Sequence, residues 1–262
     1  MSAKVSQLQT AKDHRANRLL RALDPASLAY LEPHLEVVTL QRGDILYETD
    51  ENIRYTYFPH DAVVALVAVM ENGASAEMVI VGREGLVGLV TAAITPRSFG
   101  RYVVQIPGTA SRISLEQMQR AISTHPNIRG LIQRFAEAIT SRILQNVACN
   151  ALHSVEARAC RWILSTHDRV DQDTLPLSHE LLADMLGVQR STVSTITRTL
   201  QTAGLIEQGR GCITVKDRAG LEKASCECYG RVRQTVERLL PLTYAHNDLG
   251  IERPSKVATR RG

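Results

Sequence analysis

The order of apolar and polar positions divides the chain into three rhythms. Leu19, Leu20, Leu23, Leu28 and Leu31 fall at helical intervals, and Val37, Val38 and Leu40 then turn the text β-like. From 36 to 114 the pattern is that of many short strands. Apolar runs at 61–70, 77–81, 85–90 and 102–106 are separated by Gly43-Asp44, Asn72-Gly73, Gly82 and Pro107-Gly108, so a closed barrel, roll or sandwich is expected. From Pro126 to about Val170 glycine appears only at Gly130 and proline not again, which predicts one or two long helices. Ile128, Ile132, Phe135, Ile139, Ile143 and Val147 follow at three- and four-residue steps. Such a stripe must be covered, by its own domain or by a second copy.

The third rhythm is the most specific. Ser178 is placed to cap a helix over His179–Leu186, Gly187 supplies a left-handed turn, and a second helix runs over Arg190–Thr202 with Gly204 closing it. Ala183 sits where the two helices cross, and Leu182, Leu186, Val188, Val193 and Ile196 occupy the core positions of a helix-turn-helix. Gln189, Arg190, Ser191, Ser194, Thr195 and Arg198 are left on the opposite face, with the donors and acceptors that read base edges. Leu205-Ile206 and residues 212–215 flank Gly209-Arg210-Gly211, a hairpin whose tip arginine is suited to a phosphate.

Composition narrows the classes. Apolar residues are 44% and charged residues 22% of 262, an ordinary folding mixture. The formal net charge is +4, and residues 188–216 alone carry Arg190, Arg198, Arg210 and Lys216 against Glu207, so the excess is concentrated on the helix-turn-helix. The apolar run 62–70 is too short for a bilayer crossing and the first residues lack a secretory core, which suggests a cytoplasmic protein without membrane contact. The five cysteines, all from Cys149 onward, are read as reduced thiols.

Across about 15–230 the chain resembles the Crp/Fnr family of transcription regulators. The likeness lies in E-G-x-V-G at 84–88, V-V-Q-I-P-G at 103–108, Ala148-Cys149-Asn150, Asp168-Arg169, L-G-V-x-R at 186–190 and C-E-C-Y at 226–229. It implies an α+β chain: an N-terminal cyclic-nucleotide-binding-like β-roll over 15–125, a long dimerisation helix over 126–153, a C-terminal winged helix-turn-helix over 154–230 and a tail over 231–262. The expected protein is a homodimeric regulator, not an enzyme, that binds double-stranded DNA at pseudo-palindromic sites and meets RNA polymerase. Ile128, Ile132, Phe135, Ile139 and Ile143 are its expected dimer seam.

Departures from the family pattern qualify the sensor. Where cyclic-nucleotide members place a ribose-binding glutamate after the first glycine, Leu86 follows Gly85, and an apolar side chain there leaves a ribose hydroxyl unpaired. Arg97-Ser98 resembles the phosphate-binding pair but stands one residue out of register, so these two are weak ligand candidates and the effector is unknown. No cysteine precedes Cys149, which excludes the N-terminal iron–sulfur cluster of the oxygen sensors. His34, His60 and His125 are isolated, and Cys226 and Cys228 read as packing residues with an incomplete ligand set, so neither metal nor cofactor is expected. At the DNA helix Arg190 matches the family's first arginine, while Ser191 and Thr195 replace a glutamate and a second arginine. Two rival readings are a cupin-type β-barrel enzyme with a DNA-binding tail, which lacks the needed histidine cluster, and a protein whose winged helix serves protein interaction.

Overall fold

The computed structural model of the chain describes residues 13–89, 95–170 and 172–241. Its first leucines form two short helices, α1 (Arg18–Arg21) and α2 (Pro25–Leu31), because Asn17 and Asp24 accept hydrogen bonds from first-turn amides and Pro25 presets the α2 entry. Seven strands follow: β1 (Glu36–Leu40), β2 (Ile45–Tyr47), β3 (Tyr55–Pro59), β4 (Val63–Val69), β5 (Ser75–Val81), β6 (Arg101–Ile106) and β7 (Gly108–Ser114). They pair antiparallel in two sheets, ordered β1-β7-β3 and β2-β6-β4-β5. Tyr47, Phe58, Leu66, Val104 and Ile113 fill the roll between them.

The strand expected at 85–90 does not form. Residues 83–85 turn, Val87 makes a single antiparallel bridge to Tyr57, and Val90 lies outside the described residues. Two glycines explain the departure: Gly88 has φ +99°, and a Cβ on Gly85 would come within 2.7 Å of Phe135 Cε2.

Phe135 belongs to α4 (Pro126–Leu152), which follows α3 (Leu115–Thr124) after a break where His125 is extended and Pro126 starts the next helix. The residues expected as the dimer seam lie on the face of α4 turned to its own β-roll. Ile128, Phe135 and Ile139 are buried in the core of their own β-roll, and Ile132 and Ile143 pack half-buried against that core. The roll has an open apolar side, and this stripe closes it. The face of α4 turned away repeats instead at Gly130, Gln133, Glu137, Thr140, Leu144, Val147 and Ala151, alternating three and four residues. Leu144 and Val147 on it are 65% and 66% exposed.

Ser154 ends the run and caps α5 (Val155–His167). The C-terminal unit continues with β8 (Thr174–Leu175), α6 (His179–Leu186), α7 (Arg190–Thr202), β9 (Ile206–Gly209), β10 (Cys212–Val215), α8 (Arg218–Ala224) and α9 (Cys228–Leu239). Its core gathers Trp162, Ile163, Leu182, Val193, Leu200 and Ile213. The segment 231–262, expected as a tail, begins as helix: α9 lies along α4, and Val236 and Leu240 enter the first core. Residues 242–262 lie outside the described residues.

The two units are joined by buried charge. Glu84, 2% exposed, accepts from Arg142 of α4 (3.2 Å) and from Arg169 beyond α5 (2.9 Å from Nε, 2.7 Å from Nη2). Arg142 also donates to the Ile80 carbonyl (2.6 Å), and Arg83 donates to the Arg169 carbonyl (3.0 Å). Burial raises the Glu84 carboxyl, but the combined pull of Arg169 and Arg142 outweighs it and holds the group below its ordinary range.

Removing the carboxylate takes the shared anionic partner from two buried guanidiniums, so Glu84→Ala is expected to lose about 3–5 kcal/mol. Because the folded-state pKa is depressed, the wild-type contribution is fully present above the unfolded carboxylate pKa and is lost as pH falls through the lowered folded value. Urea unfolding followed by circular dichroism across the acid range checks this: Glu84→Gln is to lack that pH-dependent component, and an unchanged acid profile refutes the assignment.

Candidate nucleic-acid interface

The helix-turn-helix forms as its caps dictate. Ser178 Oγ accepts from the Leu181 amide (3.1 Å), and Gly187 takes the left-handed conformation (φ 65°, ψ 41°) that turns the chain from α6 toward α7. Ala183 is buried at the α6 turn, and Val193, Ile196 and Leu200 anchor α7 on the core. The opposite face of α7 carries Arg190, Ser191, Thr195 and Arg198 into solvent, with Gln189 at its N-cap.

Ser194 does not share that freedom. Its hydroxyl donates to the Arg190 carbonyl (3.0 Å) and lies 3.2 Å from His179 Nδ1. His179 Nε2 stands 2.8 Å from Gln208 Oε1 and 3.2 Å from Thr197 Oγ1. One imidazole thus ties α6, α7 and β9 together, and Ser194 helps to set the helix against the wing. Sequence reasoning missed His179, because nothing in the linear spacing tells a helix-entry histidine from a solvated one.

The wing is a three-stranded sheet, β8-β10-β9, one strand more than expected. Cys212 pairs with Gly209, so Arg210-Gly211 is the two-residue tip, with Gly211 at φ +73°. Lys216 pairs with Glu207 across the ribbon (3.3 Å), so its charge is partly spent. Among the described residues Arg190, Arg198 and Arg210 have no ion pair and no side-chain hydrogen bond, and all three are exposed.

A buried network holds this unit in shape. Asp168 accepts from Arg218 (2.6 Å) and from the Tyr229 hydroxyl (3.0 Å), while Arg233 donates to Tyr229 (2.8 Å). Burial, reinforced by the Asp168 charge, pushes the Tyr229 hydroxyl upward and keeps it a donor. The Asp168-Arg169 pair thus faces two ways, Asp168 into its own unit and Arg169 across to Glu84.

The two sensor candidates differ in exposure and partners. Arg97 is exposed and donates to the Asp50 carbonyl (3.0 Å). Ser98 is fully buried, its hydroxyl donating to the Gly100 carbonyl (2.5 Å). Leu86 is buried in the roll core.

The expectation of no metal meets a different arrangement. Cys149 and His153, one turn apart at the end of α4, stand beside Cys226 and Cys228 at the start of α9, and their four ligand atoms all lie within 4.8 Å of one another. Cys149 Sγ is 3.5 Å from Cys226 Sγ, and Cys228 Sγ is 3.6 Å from His153 Nδ1. Burial pushes the Cys149 thiol up to about 12. The pair at 226 and 228 appeared incomplete because its partners are some 75 residues away in sequence; Cys149-x-x-x-His153 on a predicted helix was the available clue.

Comparison with known proteins agrees with this architecture. Residues 157–224 match the model of the Crp-like helix-turn-helix domain. The global nitrogen regulator of Synechocystis sp. is 24% identical over 200 residues, covering 71% of this chain and 87% of that protein. A CRP-family transcriptional regulator from Thermus thermophilus superposes with TM-score 0.60 at 22% identity, over 72% of this chain and 96% of the other. FixK2 from Bradyrhizobium japonicum superposes with TM-score 0.58 at 17% identity, over 73% and 98%. No helix among the described residues is long and apolar enough to cross a membrane. Residues 157–224 thus carry a Crp-like helix-turn-helix domain, and the β-roll, long helix and C-terminal unit together share the fold of the CRP-family regulator from Thermus thermophilus.

Proposed function

We propose that the protein acts as a cytoplasmic homodimer on pseudo-palindromic double-stranded DNA and there meets RNA polymerase. The observation that carries this reading is the exposed arginine face of α7, unpaired among the described residues, beside an arginine-tipped wing. Arg190 at the start of α7 is positioned for a guanine edge, Gln189, Ser191, Thr195 and Arg198 line the same groove, and Arg210 meets the flanking backbone. Ser194 positions rather than reads.

The dimer seam proposed is the outward heptad of α4 ending in Leu144, Val147 and Ala151. Its lower half is apolar and exposed, as a parallel helix pair requires. Two recognition helices related by a two-fold axis then enter successive major grooves about 34 Å apart. Neither cyclic AMP nor cyclic GMP is the effector in this reading. Leu86 is committed to the core, Ser98 to Gly100 and Arg97 to Asp50.

Fluorescence anisotropy with labelled duplexes tests the interface. Arg190→Ala is expected to lose roughly 1–3 kcal/mol on the preferred site and to relax preference at one half-site position. Equal weakening on all sequences would make Arg190 a phosphate contact instead. Arg210→Ala is expected to lower the salt slope by about one unit per half-site without changing preference, and an unchanged slope removes the wing from the interface.

A charge at the centre of the outward heptad is expected to be buried against its own copy. Leu144→Glu should sediment as a folded monomer and bind a full palindrome far more weakly, since one recognition helix is lost from each complex. Phe135→Glu instead should cost the β-roll its fold. A dimer that survives Leu144→Glu places the seam on another surface.

A further inference from the structure

The four-residue cluster between α4 and α9 has the composition and spacing of a closed metal site. We propose that Cys149, His153, Cys226 and Cys228 bind one zinc ion that ties the end of α4 to the start of α9. Structural zinc takes four tetrahedral ligands from thiolate and imidazole, and three cysteines with one histidine are among its common sets. With zinc–sulfur bonds of about 2.3 Å, a tetrahedron has sulfur–sulfur edges of roughly 3.8 Å. The observed 3.5 Å between Cys149 and Cys226, and 3.6 Å between Cys228 and His153 Nδ1, are edges of that size. With all four atoms inside 4.8 Å, the cluster surrounds one ion rather than a larger iron–sulfur core.

The surroundings are those of a supported site. His153 turns Nδ1 toward the sulfurs while Nε2 meets Glu227 Oε2 at 3.1 Å, the carboxylate–histidine arrangement that fixes ring orientation at zinc. Gln145 donates its amide to Cys228 Sγ (3.0 Å). Three thiolates and a neutral imidazole around a divalent ion carry one net negative charge. Arg158 and Arg161, whose Nε–H groups are buried without a hydrogen-bond partner, stand near enough to interact electrostatically with Cys149. Zinc entry releases the three thiol protons to solvent and involves no electron transfer.

The ligands come from the end of α4 and from the segment after α8. Cys149 and His153 belong to the helix that closes the β-roll, and Cys226 and Cys228 to the connection that follows the winged helix. A bound ion therefore fixes the DNA-binding unit on the long helix at a second point, apart from Glu84.

The test uses the full chain, reduced and stripped with a chelator, then titrated with cobalt(II) and back-titrated with zinc(II). Expected are the visible bands of a tetrahedral thiolate site saturating at one cobalt per chain, their loss on adding zinc, and one zinc per chain by mass spectrometry of protein purified without chelator. Cys228→Ser should abolish the cobalt spectrum while circular dichroism is retained, and Glu227→Gln should weaken zinc about 10-fold. Zinc should raise the melting temperature of the wild type and leave that of Cys228→Ser unchanged. Should Cys228→Ser fail to fold, the wild-type stoichiometry and cobalt spectrum decide alone. Absence of tetrahedral cobalt bands, iron in place of zinc, or a Cys149–Cys226 disulfide in metal-free purified protein each overturns the proposal, and none of these readouts depends on DNA binding.

Discussion

A single buried carboxylate fixes how the two halves of this protein sit together. Glu84 lies in the turn after β5, and the two guanidiniums that neutralise it come from the long helix and from the far side of α5. Desolvating three charges is costly, and the cost is met only when all three elements are in place. Displacing Arg169 takes from Glu84 one of its two cationic partners. Around this point the Ile80 carbonyl, the Gly82 amide and the Arg83 guanidinium complete the hydrogen bonding.

From that constraint the role of α4 follows. Its inward face closes the β-roll with Ile128, Phe135 and Ile139, its middle supplies Arg142 to Glu84, and its end presents Cys149 and His153 to the C-terminal unit. Its outward face is the seam proposed for a second copy. A helix with work on every side has no simple amphipathic stripe, and the exposed heptad is mixed, polar at Gln133 and Glu137 and apolar at Leu144 and Val147.

Much of this was legible in the chain. The strand text between 36 and 114, the helix starting at Pro126 and the winged helix from Ser178 to Val215 all appear where local patterning places them, because capping residues, turn glycines and apolar periods agree there. Three features were not. The stripe of isoleucines on α4 identifies a face that must be covered but not what covers it. The apolar letters at 85–90 read as a strand, yet Gly85 is needed for the close approach of Phe135 and Gly88 for a positive φ. His179, Glu84 and the Cys149 cluster draw their meaning from partners tens of residues away, which no local period encodes. Of the α7 residues expected to face DNA, Arg190, Ser191, Thr195 and Arg198 are exposed, while the Ser194 hydroxyl, one turn from Arg190, also meets His179.

The account rests on two identical recognition surfaces held at a fixed separation, a property that a selection of duplexes from random DNA by the purified protein reads directly. The account predicts enrichment of an inverted repeat whose half-site centres lie about one helical turn, roughly 10 base pairs, apart. Enrichment of a single unrepeated element, or no enrichment over the starting pool, would contradict it.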